Sequence, residues 1–201
     1  MPHVEIRPFI YNCEQCHTRC DAVSKGKYHF GNDVEFAENE EQEIISRLIK
    51  MGMNAHKCQK DGYPDIEVTD ENGAVIRYIE VKAQRRTFMK VQQVLPESGL
   101  LPSETLALNL SDLRRYFEIE KATGTRISIV WVLSKRPCIV PESGKRYFGQ
   151  KVALLKEVYE KNAAQRRFRR KSGKGDVVDG EHKGVVVNYH FRLAELEEWK
   201  P

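Results

Sequence analysis

Gly62-Tyr63-Pro64-Asp65, the turn Asp70-Glu71-Asn72-Gly73 and the run Tyr78-Ile79-Glu80-Val81-Lys82-Ala83-Gln84 decide how this chain folds. Residues 66–69 and 75–81 are rich in the β-branched and aromatic side chains that suit a pleated sheet. Asn72-Gly73 between them tolerates the positive φ angles of a tight turn, so the stretch predicts a β-hairpin. Side chains alternate along a strand. Ile76, Tyr78, Glu80, Lys82 and Gln84 therefore share one face, and Val75, Arg77, Ile79 and Val81 take the other. Asp65, at the start of the partner strand, can reach the face that carries Glu80, Lys82 and Gln84.

Such a cluster has a chemical use. Two hard carboxylates suit Mg²⁺ or Mn²⁺, which need only one or two protein carboxylates because water and a substrate phosphate complete the octahedron. Asp65 and Glu80 would be the ligands, and the backbone carbonyl of Val81 could supply a third oxygen. Lys82 would hold or help deprotonate an attacking water and offset charge in the transition state, while the metal acts as Lewis acid. Gln84 would position a water or a phosphate. The reaction so described is phosphodiester hydrolysis. The plainer reading is a solvated sheet face carrying a cross-strand ion pair.

Upstream, residues 35–51 read as a helix. Ile44, Ile45, Leu48 and Ile49 recur at three- and four-residue spacing, and Gly52 stands where a helix would stop. Glu41 falls three and four residues before Ile44 and Ile45, on the apolar face, better aimed than Glu40 or Glu43. It is either a site residue or an acid complementing the helix dipole. A short strand at 54–59 leads into the hairpin. Residues 85–102, punctuated by Pro96, Gly99 and Pro102, read as an irregular connection. A second helix is expected over 111–122, capped by Ser111 or Asp112 and stopped by Gly124, and 126–133 is a near-continuous apolar run typical of a buried strand. The resulting order is α-β-β-β-α-β.

Pro64-Asp65 and Glu80-Val81-Lys82 resemble the two signature pieces of the PD-(D/E)XK nuclease superfamily. The resemblance covers 35–133 by element order and only those two pieces by motif. It implies a restriction-endonuclease-like α/β fold: an αβββαβ core with a mixed sheet flanked by helices. It further implies a Mg²⁺-dependent endo- or exodeoxyribonuclease, with Glu41 as the acid that the first helix aims at the metal. It favours DNA over RNA as the partner, and cutting both strands of a duplex would call for a homodimer.

Residues 1–33 form a separate cysteine-containing arm, and 34–201 the nuclease-like domain. In the arm, Cys13-x-x-Cys16-His17-x-x-Cys20 can present three thiolates to a tetrahedral Zn²⁺, with His29, His17 or Cys58 as the fourth ligand. The alternative is ligand-free thiols packed as small apolar groups. Some members of the resembled superfamily carry iron-sulfur clusters, a lesser alternative for this motif. Five cysteines, an odd number, with no secretion signal argue for reduced thiols in a cytoplasmic, soluble protein. No apolar run is long enough to span a bilayer, so no membrane partner is expected.

A net charge of +4 and pI near 8.7 permit polyanion binding without requiring it. The cations are concentrated. Arg85, Arg86 and Lys90 directly follow the proposed active strand, and Arg166, Arg167, Arg169, Arg170, Lys171 and Lys174 crowd a loop near 165–175 that contains no acid. Both groups can contact phosphate, or they can be ordinary solvated charge. A helix over 152–164 with Leu154, Leu155, Val158 and Tyr159 apolar, a strand over 184–193 and a short acidic helix at 195–199 complete the chain. Two rivals to a nuclease remain: a non-catalytic nucleic-acid-binding module of the same fold within a larger complex, and a zinc-stabilised protein-interaction domain.

Overall fold

A computed structural model describes residues 30–134, 136, 139–140, 144–171, 177–178, 180–182 and 186–200. Chain order gives α1 (Phe30–Lys50), β1 (Asn54–Lys57), β2 (Ile66–Thr69), β3 (Val75–Gln84), α2 (Val91–Val94), β4 (Thr105–Asn109), α3 (Leu110–Thr123) and β5 (Arg126–Ser134). Then come β6 (Lys145–Lys151), α4 (Val152–Asn162), β7 (Arg167–Phe168), β8 (Val177–Val178), β9 (Glu181–His182), β10 (Asn188–Arg192) and β11 (Glu197–Glu198). One sheet runs β1-β2-β3-β5-β6-β11 and a second runs β4-β10-β7. In the large sheet only β3 and β5 pair in parallel, so it is mixed. No helix among the described residues is long and apolar enough to cross a membrane.

The two faces of β5 explain its unbroken apolar sequence. Val130 and Val132 join Ile44, Ile45 and Leu48 of α1 in one core. Ile127, Ile129, Trp131 and Leu133 pack on the other side with Leu113 and Tyr116 of α3 and Leu155 of α4. A strand covered on both faces has no solvent side to keep polar. Helix α1 begins at Phe30, earlier than expected, and its buried stripe is narrower than its sequence suggests. Ile49 is 54% exposed because it lies about 100° round the helix from Leu48, past the edge of the sheet contact. Leu154 on α4 is likewise turned outward.

The β2–β3 hairpin forms, but through a longer loop than a two-residue Asn-Gly turn. Asp70 Oδ1 accepts the amide hydrogens of Asn72 and Ala74, each at 2.9 Å, and Gly73 takes a φ of 81°. The register slips between Val68 and Thr69 to absorb the extra length.

The connection after β3 holds more structure than its punctuation predicts. Helix α2 and a 3₁₀ turn at Pro96–Ser98 close a small core of Val91, Leu95 and Leu100. Three side chains then fasten β4 to the main sheet. Gln84 Nε2 donates to Thr105 O at 3.3 Å while Ala107 N donates to Gln84 Oε1 at 3.2 Å. Trp131 Nε1 donates to Ala107 O at 3.1 Å. The fully buried Arg136 donates to Ser103 O (2.8 Å), Thr105 O (3.1 Å) and Arg86 O (2.7 Å). With β4 running straight into α3, the helix cap falls at Asn109 and not at Ser111 or Asp112, and Asn109 makes no side-chain cap. Gly124 ends α3 in the left-handed region, as expected. The C-terminal acidic segment is no helix: a 3₁₀ turn at Leu193–Glu195 leads into β11, an edge strand against β6.

Candidate active site

Strand pairing brings the first carboxylates together. Ile66 lies opposite Ile79, so the residue before Ile66 and the residue after Ile79 face one another across β2 and β3. These are Asp65 and Glu80. Asp65 Oδ2 accepts the N–H of Val81 at 2.8 Å, which ties the carboxylate to the backbone of β3. Glu80 is 2% exposed. Its Oε1 makes a close ion pair with Lys82, and its Oε2 accepts the hydroxyl hydrogen of Tyr116, which arrives from α3. About 30% of the Lys82 side chain stays exposed, so the cluster is buried on the Glu80 side and open on the Lys82 side.

The charges respond to that environment. Burial pushes the Glu80 carboxyl up to about 7; the neighbouring Asp65 adds to the rise, while Lys82 and the Tyr116 hydrogen bond oppose it. Burial also raises Asp65, against the pull of Lys82 and the Val81 amide. Burial disfavours charge on Lys82, yet Glu80 and Asp65 outweigh it and push its pKa up. Tyr116 is pushed up by burial and by Glu80. At neutral pH the site therefore holds an ammonium, a neutral phenol donor and two adjoining carboxyl groups, of which Glu80 is partly protonated.

Glu41 faces this cluster from α1. Its charge is felt at Asp65, and its Oε2 pairs with Lys57 at 3.3 Å. Glu40 and Glu43 point elsewhere, to Lys145 at 2.7 and 2.8 Å. Among the described residues no three His, Cys, Asp or Glu side chains converge closely enough to cage a metal by themselves. A buried carboxyl group beside a half-buried one, with a third acid close by on α1, does fit Mg²⁺, which completes its shell with water and phosphate. Asp65 and Glu80 are the residues that could hold it. Val81 is seen to contribute its N–H.

Gln84 does not join the cluster, because both ends of its amide are engaged by β4. Sequence reasoning did not single out Tyr116, nor the pair Asp112–Arg115 at 2.7 Å on the first turns of α3. Asp112 is felt electrostatically by both Lys82 and Tyr116. Arg115 packs over Gly62, where a Cβ would lie 3.4 Å from its Cδ. The one signal for Tyr116 was a phenol in a helix stripe, since a buried hydroxyl requires a partner.

The basic residues divide. Arg166 is a core residue, 6% exposed, with Nη1 at 2.8 Å from both oxygens of Glu195. Arg167 donates to the Tyr159 hydroxyl at 2.9 Å. Arg85 lies over the Phe36 ring, 4.4 Å from its centroid. Arg86, Lys90, Arg169 and Lys171 are exposed, and Arg170 is half-buried. Cys13, Cys16, His17, Cys20, His29, Cys138 and Lys174 lie outside the described residues. Cys58 is a half-buried free thiol whose pKa is raised by burial.

No family model and no curated protein matches this chain. Among solved structures it is similar to Hjc, a Holliday junction resolvase from the archaeal hyperthermophile Archaeoglobus fulgidus. That match has 13% identity and a TM-score of 0.42, covering 81% of this chain and 90% of that one. It is also similar to a nuclease from a fusselovirus, at 10% identity and a TM-score of 0.41, covering 84% of this chain and 87% of that one. With α2 and β4 set aside as an insertion between β3 and α3, the chain runs α-β-β-β-α-β, and that order, with β3 and β5 parallel inside a mixed sheet, is that of a restriction-endonuclease-like α/β fold.

Proposed function

We propose that this protein is a metal-dependent nuclease that hydrolyses DNA phosphodiester bonds, with Asp65 and Glu80 as the ligands of Mg²⁺ or Mn²⁺. The observation that carries the reading is the convergence of Asp65, Glu80 and Lys82, buried on one side and open on the other. When bound, the ion supplies Lewis-acid polarisation of the phosphate and a lowered pKa for its water. Asp65 is oriented by the Val81 N–H. Tyr116 holds one oxygen of Glu80, which leaves the other facing Lys82. Lys82, kept charged by the two carboxylates, stabilises the negative charge that grows on the phosphoryl oxygens as water attacks. Glu41 adds an acceptor for a water at the edge of the site. The exposed Lys90, Arg169 and Lys171 supply backbone contacts that do not depend on base sequence.

The test is Mg²⁺-dependent degradation of linear, circular, branched and single-stranded DNA, with Lys82→Ala alongside. Cleavage by wild type and none by the variant supports the reading. Binding without cleavage by either, in Mg²⁺ and in Mn²⁺, favours a non-catalytic nucleic-acid-binding module. A Zn²⁺ ion on Cys13, Cys16, Cys20 and His29 is a separate proposal, tested by metal analysis of the purified full chain. A homodimer is proposed on the same footing, tested by light scattering with and without duplex DNA.

A further inference from the structure

A groove of about 540 Å³ opens where the segment after β3 meets β7, within the size range of small-ligand sites. Its base is apolar: Val91 and Leu95 are buried, and Phe88 and Phe168 pack against them from either side of the chain. His190 also lines it, edge-on to Phe88 with ring centroids 5.2 Å apart. The His190 Nδ1 donates to Arg166 O at 3.1 Å, and burial lowers its pKa, so the ring is neutral with Nε2 an acceptor. The rim carries Lys90, Arg170 and Lys171, and among the described residues no Asp or Glu lines the groove.

Two phenylalanines and a histidine on an apolar base, with the exposed Lys90 and Lys171 at the rim, form a combination suited to one ligand chemistry. Aromatic faces stack a base of any sequence, and neighbouring cations take the phosphates on either side of it. The position agrees. Thr87, at the mouth of the groove, is five residues past Lys82, so the chain between them spans at most about 18 Å.

We propose that this groove binds an unpaired nucleobase of the DNA strand being cut. The favoured substrate is then DNA with a single-stranded segment, as in an end, a flap or a junction, within about five base steps of the scissile phosphate. The proposal rests on the nuclease reading, and its test separates the two. The full chain is titrated in EDTA at low salt with a fluorescent single strand, with the matching blunt duplex, and with a series of single strands carrying one abasic site at successive positions.

The expected result is tighter binding of the single strand than of the duplex. One or two abasic positions weaken wild-type binding about tenfold, from lost stacking. Phe168→Leu, which keeps an apolar side chain, binds the intact strand about tenfold more weakly, is indifferent to abasic position, and binds duplex as wild type does. A flat abasic scan by a wild-type chain that still binds and cuts DNA overturns the base pocket alone, and is also the outcome if an apolar peptide occupies the groove. Absence of all DNA binding at low salt overturns the nuclease reading and the pocket with it.

Discussion

Removing the Tyr116 hydroxyl isolates one interaction at the site. Tyr116→Phe deletes the donor to Glu80 Oε2 while keeping the ring in a position that is 2% exposed. A hydrogen bond to a charged group contributes about 1.5–3 kcal/mol, against about 0.5–1.5 kcal/mol for a neutral pair. The charge state of Glu80 thus sets the size of the loss. Its folded pKa is raised from 4.5 to about 7, chiefly by burial. Between those values the folded chain keeps a proton that the unfolded chain releases, so this group's contribution to stability falls as pH rises through that window and is flat above it.

The Tyr116 hydroxyl holds the upper edge of the window down. Without it the edge moves up, by about 1.4 kcal/mol of extra destabilisation per unit at pH above it. Urea unfolding in EDTA is expected to show a loss near 2 kcal/mol at pH 8, or a melting temperature lower by roughly 4–8 °C, and about 1 kcal/mol or less at pH 5. Equal losses at the two pH values, or a loss at pH 8 below about 0.5 kcal/mol, would refute the reasoning. If Glu80 is the metal ligand proposed above, Mg²⁺-supported cleavage by the same variant should fall about 10- to 100-fold, because the ligand's supporting partner is gone.

Asp65→Asn should lower single-turnover cleavage by at least about 100-fold with binding of uncut DNA retained, read by gel and by fluorescence anisotropy. Lys171→Ala and Arg166→Ala should separate two kinds of cation. The exposed Lys171 is expected to lower the salt slope of DNA affinity by about 1, whereas losing Arg166 strands the Glu195 carboxylate and costs stability, about 3 kcal/mol by denaturant titration. Arg136→Met takes the guanidinium donor from three backbone carbonyls, with Thr105 O keeping only the longer bond from Gln84, and an unfolding free energy lower by at least about 3 kcal/mol is expected. Gln84→Ala should act on stability, by about 1–2 kcal/mol, with the cleavage rate per folded molecule changed less than threefold.

What could be read from sequence was whatever a local period encodes. Ile44, Ile45 and Leu48 mark α1, the run Ile127 to Leu133 marks a strand covered on both faces, and alternation through Glu80 and Lys82 places two site residues on one side of β3. What escaped depends on partners far along the chain. Strand β6, Lys145–Lys151, carries charge at both ends and buries only Tyr147 and Phe148, so its pattern is weak until it is laid against β5. Strand β11 is two exposed glutamates held by edge pairing on β6 and by the Glu198–Arg146 ion pair at 2.9 Å. The basic block reads as one solvated patch in sequence, but Glu195 draws Arg166 into the core and Tyr159 takes Arg167. Gln84 has the right face and the right neighbours for a site residue. Only the position of β4, set by contacts 21 and 23 residues away, turns its amide into a clasp.

The most direct measurement is a start of reaction by metal addition. Wild type and Asp65→Asn are each bound to end-labelled DNA in EDTA, excess Mg²⁺ is added, and strand breaks are followed by rapid quench. A protein in which Asp65 and Glu80 hold the ion and Lys82 stabilises the attack gives wild-type breaks only after Mg²⁺ and almost none from the bound variant. Breaks at equal rates from both proteins, or none from wild type with any divalent ion while DNA stays bound, would contradict that assignment.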